Sequence, residues 1–549
     1  MPGCNIGLAF DSGAIMRQRG SSRRAMMIGA AAATGLWHVA GARAGTPFSR
    51  DLVVDQARAL AASPFADALP PLPDAFRKLD YDGYRGIRFR REQALLDARG
   101  AFRLHLLHPG FLFTRPVAIH LVENGAAHRV AYDGRLFDYG RGGLDAEAPS
   151  DVGFAGFRLL YPLNEPGVLD EVVSFLGASY FRFLAKGDRY GLSARALAIG
   201  VGGSVPEEFP FFREFWVEQP AVGRDDIVVH ALLDSPSLSG AYSFNLRPRP
   251  RGGVAGTAID VSASLFLRKD VHRIGIAPMT SMFLRGESDP HPRDDFRPEV
   301  HDSDGLLIHN GGGEWLWRPL RNTSSVSFSG FADDNPRGFG LLQRNRDFGR
   351  YQDLEARYDL RPSYWIEPRG PWGAGRIELV ESPDDDETGD NINAFWTPAA
   401  AMPAGGRVDI ADAITAAADP NAIAPGGIAV ATHQTSTRVA GSKEPVHPNE
   451  RRFLIDFAGG RLSGLAEMAE KIEVVATASA GAILRTFAAP NPRIGGIRGG
   501  FDLRMAAGES ADLRLFLRLG EETLTETWTY PWTHESPRPA AVDTPMSCP

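Results

Sequence analysis

From Tyr81 onward, glycine and proline cut the chain into short apolar pieces. GIRFR, FRLHLLHP, PVAIHLVEN and AHRVAYDG come first; REFWVEQP, IVVHALLD, LSGAYSFNLRP, TAIDVSASLFLR and IGIAPMTSMFLRG follow. Each alternates or runs apolar for a few residues and then meets a turn former, which is the signature of a strand. The pieces recur at roughly 8 to 15 residues, with no long helical periods between them. A βαβ fold needs such helices, so the pattern predicts stacked antiparallel sheets, an all-β chain. The 60 glycines and 40 prolines fit that reading, and 549 residues exceed one ordinary domain.

Helical patterns are few. Ser49 to Ala62 has a Ser cap, an acid in the first turn and apolar residues at helical spacing, and Leu72 to Leu79 reads as a shorter helix. Pro166 to Leu176 (PGVLDEVVSFL) is predicted helical, with proline near its start and acids early. The stretch after it, ASYFRFLAKGDRYGLSARALAIG, reads as strands around a Gly-Asp turn. Gly286 to Pro298 is a polar loop, and Gly311-Gly312-Gly313 forms a hairpin that places Trp315 and Trp317 on one face. Beyond Trp396 the composition shifts toward Ala and Pro, and about seven short strands follow, which suits an immunoglobulin-like sandwich. The expected division is a large β-sandwich over 45–395, a second sandwich over 396–535 and a flexible tail over 536–549.

Residues 1–44 read as an export signal. Arg23 and Arg24 precede a weakly hydrophobic Ala/Gly run, and Ala42-Arg43-Ala44 is a cleavage-type site, so export through the twin-arginine route to the periplasm is expected. The apolar run is too short and interrupted for a membrane span, so no stable membrane insertion is expected. Cys4 would leave with the signal, and Cys548 is penultimate, which leaves no internal disulfide. A formal charge of -8 gives no nucleic-acid footprint.

Several chemistries are not written in the chain. There is no Walker loop and no G-x-S-x-G elbow, and the thirteen His show no metalloprotease spacing. Neither a metal nor a cofactor is expected. Carboxylates among aromatics remain. Phe348 to Trp372 alternates rings with charges, and the acidic loop Asp384 to Asp390 follows a short strand. Rings stack on the apolar faces of sugars, and Arg and carboxylates bind hydroxyls. The same composition also describes a Trp-rich sheet edge and a solvated turn. Glycoside cleavage needs one protonated and one ionised carboxyl. The two clusters are His301-Asp302-Ser303-Asp304 and Asp384 to Asp390. Crowding raises the pKa of the least solvated acid, and the pattern favours Asp390, where the chain re-enters a strand through INAFW. Solvated or turn-capping roles remain the alternative for each acid.

Long stretches also resemble a known family. PLNEPGVLDEVVSFLGASYFRFLAKGDRYGLSARALAI, MTSMFLRGE, EVHDSDGLLIHNGGGEWLWRPL and FGLLQRNRDFGRYQDLEARYDLRPSYWIEPRGPWGAGRIELVE, ending in ETGDNINAFW, are similar to the periplasmic glucan biosynthesis proteins. These are the G and D proteins of osmoregulated periplasmic glucan synthesis, and the twin-arginine signal makes the chain look like the D protein. The resemblance implies a galactose-mutarotase-like supersandwich followed by an immunoglobulin-like domain. It implies a β-1,2-glucan partner, acted on with inversion by hydrolysis or by transglycosylation. It places the general acid on Asp390, the candidate base on Asp302 and a relay on Tyr358. Trp365, Trp372, Trp315, Arg357, Arg369, Glu387, Asp304 and His301 are the expected substrate contacts, with core packing as the rival role for at least two of the tryptophans. Gly389 stands where a larger residue is expected. The rival function is a non-catalytic glucan-binding scaffold that receives chains from the inner-membrane glucan synthase.

Overall fold

A computed structural model describes residues 45–67, 72–97, 99–140, 152–203, 206–289, 294–438, 441–443 and 445–534. The export signal, the tail and both cysteines lie outside these residues. The fold is all-β, built on two large sheets. One has ten strands, nine of them running from Ser327–Asp334 through Ala374–Glu381, Ile392–Pro398, Ile274–Ser281, Ser193–Arg195, Tyr180–Phe183, Asp170–Leu176 and Gly156–Tyr161 to Arg103–Leu107, with Leu197–Ile199 pairing beside Ser193–Arg195 on Ile274–Ser281. The other has sixteen and includes Phe211–Glu218, Ile227–Asp234, Leu238–Arg247, Gly256–Leu267, Arg407–Ala417, Tyr364–Pro368 and Gly338–Leu342.

Their facing sides make the main core. Phe157, Phe175, Phe181 and Phe183 meet Phe215, Tyr242, Phe244 and Tyr364. The Tyr364 ring stacks on Phe183 at 4.4 Å, and its hydroxyl donates to the Phe183 carbonyl at 2.8 Å. Each buried Phe contributes about 1.5–3 kcal/mol of transfer free energy. The helix Arg50–Ala61 packs Val53, Val54 and Ala57 with Trp216, Leu232, Ala241 and Phe266 of the larger sheet.

Two expectations change. Asp170–Leu176 is a strand, not a helix, paired with Gly156–Tyr161 and Tyr180–Phe183. Val172 bulges from this strand opposite Leu159, so Val172 and Val173 are both buried and the period-two alternation is lost. Residues 396–417, placed by composition in the second unit, run on within the large sandwich. Trp396 belongs to the ten-stranded sheet, and Arg407–Ala417 inserts between Gly256–Leu267 and Tyr364–Pro368.

The second unit has a four-stranded sheet (Ile428–Thr435, Glu450–Ala458, Gly496–Arg504, Ala482–Asn491). Strands Thr527–Thr533, Ser510–Leu519 and Glu473–Ala478 share a core with it around Phe453, Phe501, Leu515 and Trp528. Those three strands also extend the sixteen-stranded sheet, because Leu316 pairs in parallel with Thr527 and Trp317 with Trp528. Trp317, Trp365, Leu307 and Leu342 of the large unit join the same core. Seven strands in two sheets match the immunoglobulin-like proportions expected from the sequence.

Asp412, in the inserted strand, is 5% exposed. Burial pushes its carboxyl up to about 7, against the opposing pull of Arg369. Protons therefore bind the folded chain more tightly than the unfolded one. This stabilisation is complete below pH 4 and is lost as the pH rises through 7, a difference of about 4 kcal/mol. Asp412→Asn is expected to raise the melting temperature at pH 9 and to leave it nearly unchanged at pH 4. Equal differences from the parent at the two pH values would refute this account.

Candidate active site

The site lies where four segments meet on the outer side of the ten-stranded sheet. The strand Tyr180–Phe183 alternates, burying Phe181 and Phe183 in the core and turning Tyr180 and Arg182 outward. Cross-strand partners share a face. His105 pairs with Arg158, Arg158 with Ser174, and Ser174 with Arg182. Arg182 Nε donates to Ser193 Oγ at 2.6 Å, Ser193 pairs with Thr280, and Thr280 with Asn393. Seven polar side chains thus form one row across the sheet, about 29 Å long at ~4.8 Å per strand.

Asp390 enters this row from the acidic loop. Glu381 anchors the loop entrance: its side chain is fully buried, with Oε2 2.8 Å from Arg318 Nη2 and Oε1 accepting from the Arg321 N–H. Asn322 clamps Asp384, donating to its carbonyl at 2.6 Å. At the exit, Asn391 bonds both the N–H and the carbonyl of Phe283. A Cβ on Gly389 would lie 2.1 Å from Asp384 Oδ2, so glycine lets the loop close on itself. Asp385 and Asp386 remain exposed, whereas Asp390 is 7% exposed. Thr280 Oγ1 donates to Asp390 Oδ2 at 3.4 Å, and Arg182 Nη2 is 4.0 Å from the same oxygen. Burial raises the Asp390 pKa; Arg182 opposes this and Asp302 adds to it.

Asp302 follows the two-residue strand Val300–His301, and its N–H donates to Met282 O at 2.9 Å. Arg361 Nε lies 3.0 Å from Asp302 Oδ1. Burial raises the Asp302 pKa as well, while Arg361, Arg182 and His301 draw it back. Arg361 reaches the site because Gly191 has no side chain; a Cβ there would lie 2.9 Å from Arg361 Cδ. The Arg361 guanidinium also sits 5.0 Å from the centre of the Tyr358 ring. Tyr358 donates to Glu387 Oε2 at 3.1 Å, and Arg297 Nη1 holds the same oxygen at 2.6 Å. Burial, then Asp302 and Glu387, raise the Tyr358 phenol well above its ordinary value.

Four expected residues thus come together: Asp390, Asp302, Tyr358 and Glu387. The others lie elsewhere. Trp365 is buried in the core shared with the second unit, and Trp315 stacks on it at 5.6 Å and on His309 at 4.0 Å. Trp372 packs near Trp396 and donates to Ala411 O at 3.2 Å. All three rings pack against the two cores, Trp365 buried and Trp315 and Trp372 half-buried. Arg357 forms a bidentate pair with Asp359 at 2.7 and 2.8 Å. Arg369 caps the far end of its strand beside Asp412, with no contact to Asp390 or Asp302. Asp304 Oδ2 accepts the N–H groups of Arg344 and Asn345, and His301 engages both ring nitrogens inside the protein. Arg182, Thr280 and Arg297 were not among the expected residues. The one legible signal was YFRF, where a charge alternates with aromatics in a strand.

A family model described as "Periplasmic glucan biosynthesis protein, MdoG" matches residues 48–532. The chain belongs to this family. Glucans biosynthesis protein D of Stenotrophomonas maltophilia (strain K279a) is 44% identical over 501 residues, covering 90% of this chain and 91% of that protein. Glucans biosynthesis protein G of Vibrio cholerae (strain O395) is 44% identical over 489 residues, covering 88% and 87%. The G protein of Rhodopseudomonas palustris is 45% identical over 478 residues, covering 87% and 92%. Proteins of both names match equally well, so identity alone does not separate D from G. Membership of the MdoG family gives this chain a role in glucan biosynthesis. Among the described residues, no helix is long and apolar enough to cross a membrane.

Proposed function

We propose that the chain is a periplasmic enzyme, exported by the twin-arginine route, that acts on β-1,2-glucan with inversion. Asp390 is the general acid and Asp302 the base. The observation that carries this reading is the asymmetry of the two carboxyls. Asp302 Oδ1 lies 3.0 Å from the Arg361 guanidinium, while Asp390 Oδ2 lies 4.0 Å from that of Arg182. Two nearby acids in unequal surroundings are how one fold supplies a proton donor and an ionised partner at one pH. Asp390 gives its proton to the leaving glycosidic oxygen. Asp302 takes the proton of the attacking hydroxyl, with the Tyr358–Glu387 pair as the relay beside it. The half-buried members of the polar row, Arg158, Ser174 and Arg182, offer hydroxyl-binding groups to a linear chain passing Asp390. The acceptor, water or a sugar hydroxyl, decides between hydrolysis and transglycosylation.

Incubating the purified protein with linear β-1,2-glucan and resolving the products by chromatography and mass tests this. Shorter chains mean hydrolysis, and a product lighter by one water means cyclisation. Intact substrate that nevertheless binds would overturn the enzyme reading and favour a glucan-binding scaffold.

A further inference from the structure

Next to Asp302 in the chain lies a buried polar cluster that the proposed chemistry does not use. His301 is 1% exposed, with its ring stacked on Phe283 at 5.3 Å and edge-on to Tyr351 at 5.3 Å. Its protonation can be read from its neighbours. One end of the Gln343 amide faces two carbonyls, His301 O at 2.9 Å and Tyr358 O at 3.0 Å. Only the amide NH2 can bond both, so the other end is the carbonyl oxygen, an acceptor. That oxygen lies 2.9 Å from His301 Nδ1, which must therefore carry a hydrogen. On the far side, Nε2 lies 3.1 Å from Glu299 Oε2 and 3.5 Å from Asp304 Oδ1. Arg350 Nε lies 3.2 Å from the other oxygen of the Glu299 carboxylate. An ionised carboxylate only accepts, so Nε2 must donate as well.

We infer that His301 is a permanently protonated positioning residue, whose charge joins those of Arg361 and Arg182 in keeping Asp302 ionised beside the protonated Asp390. This rests on the catalytic reading above. The imidazolium and Arg350 supply the counter-charges for Glu299 and Asp304. The other charged groups facing the ring are Asp302 itself and Asp289, with Glu287 beyond on Arg350. Burial presses the ring toward neutrality, but Glu299, Asp304 and Gln343 together hold its pKa above the ordinary value. The geometry adds a mechanical link. Gln343 joins His301 to the backbone of Tyr358, the start of the turn Tyr358–Leu360 that leads into Arg361. One ring thus contributes to both the charge and the position of the Asp302 surroundings.

Nitrogen NMR of the histidine-labelled full chain tests the charge without any turnover. His301, assigned by its loss in His301→Gln, is expected to show two protonated ring nitrogens from pH 5 to 8. In Glu299→Gln, which keeps a hydrogen-bonding side chain, it is expected to titrate within that range. A His301 signal with one bare nitrogen at pH 7 in the parent would overturn the inference. Where turnover is measurable, His301→Gln is expected to move the acidic limb of kcat/KM upward by about one pH unit. An unmoved limb would overturn the positioning role while leaving the catalytic reading intact. A protein without turnover but with a doubly protonated ring would fail the catalytic reading alone.

Discussion

Asp390→Asn is expected to lower glucan turnover by about 10³-fold or more while the chain remains folded and binds glucan. General acids contribute about 10²–10⁴-fold, and Asn matches the shape of the protonated acid without its transferable proton. Stability should follow the opposite course from activity. Burial disfavours the ionised form of Asp390, so the substitution removes an alkaline liability, and the variant should melt no lower than the parent at pH 8. Asp302→Asn makes the contrast. It leaves Arg361 buried with its 3.0 Å partner gone, so it should lose stability along with turnover. Kinetics and thermal melts on both variants check this. Equal turnover in Asp390→Asn and the parent would remove Asp390 from the chemistry.

Glu526→Ala is expected to destabilise the protein by about 3–5 kcal/mol, the range for breaking a buried ion pair from one side. Glu526 holds both Arg344 guanidinium nitrogens at 2.7 and 2.9 Å and accepts the Ala429 N–H at 2.8 Å. Its side chain is fully buried, and that of Arg344 is 6% exposed. Arg344 also lies 3.6 Å over the Trp317 ring, so the truncation strands a guanidinium between the two units. The paired change Arg344→Met with Glu526→Leu should recover much of the loss, because it leaves no buried charge. Denaturant midpoints of the parent and the two variants decide it. A single-variant loss under 1 kcal/mol would show that the pair does not fasten the units.

The strands were legible because glycine and proline mark their ends and because polar and apolar residues alternate along them. Asp170–Leu176 escaped this reading because Val172 bulges from it and breaks the period-two alternation, leaving an apolar spacing that reads as helical. Asp390 stood out among five acids by its place at a strand entrance together with family resemblance. Its burial depends on Asn322, Asn391 and Gly389, which act through tertiary contacts. The tryptophans show the reverse error. Composition registers rings and charges but not the face they occupy, and the faces here belong to two cores. Arg182 was hidden for a related reason. Its meaning comes from a row of cross-strand partners drawn from seven separate strands, a direction perpendicular to the sequence.

The parallel pairing of Trp315–Pro319 with Thr527–Thr533 bears on how the chain is made. Until the ribosome has supplied residues more than two hundred positions downstream, the edge at Trp315–Pro319 is open and presents unpaired backbone groups beside two tryptophans. Such distant pairings form slowly, and open edges invite association with other chains. A nascent chain of this design gains from chaperone cover over that interval, and the late strand that closes the sheet ends it.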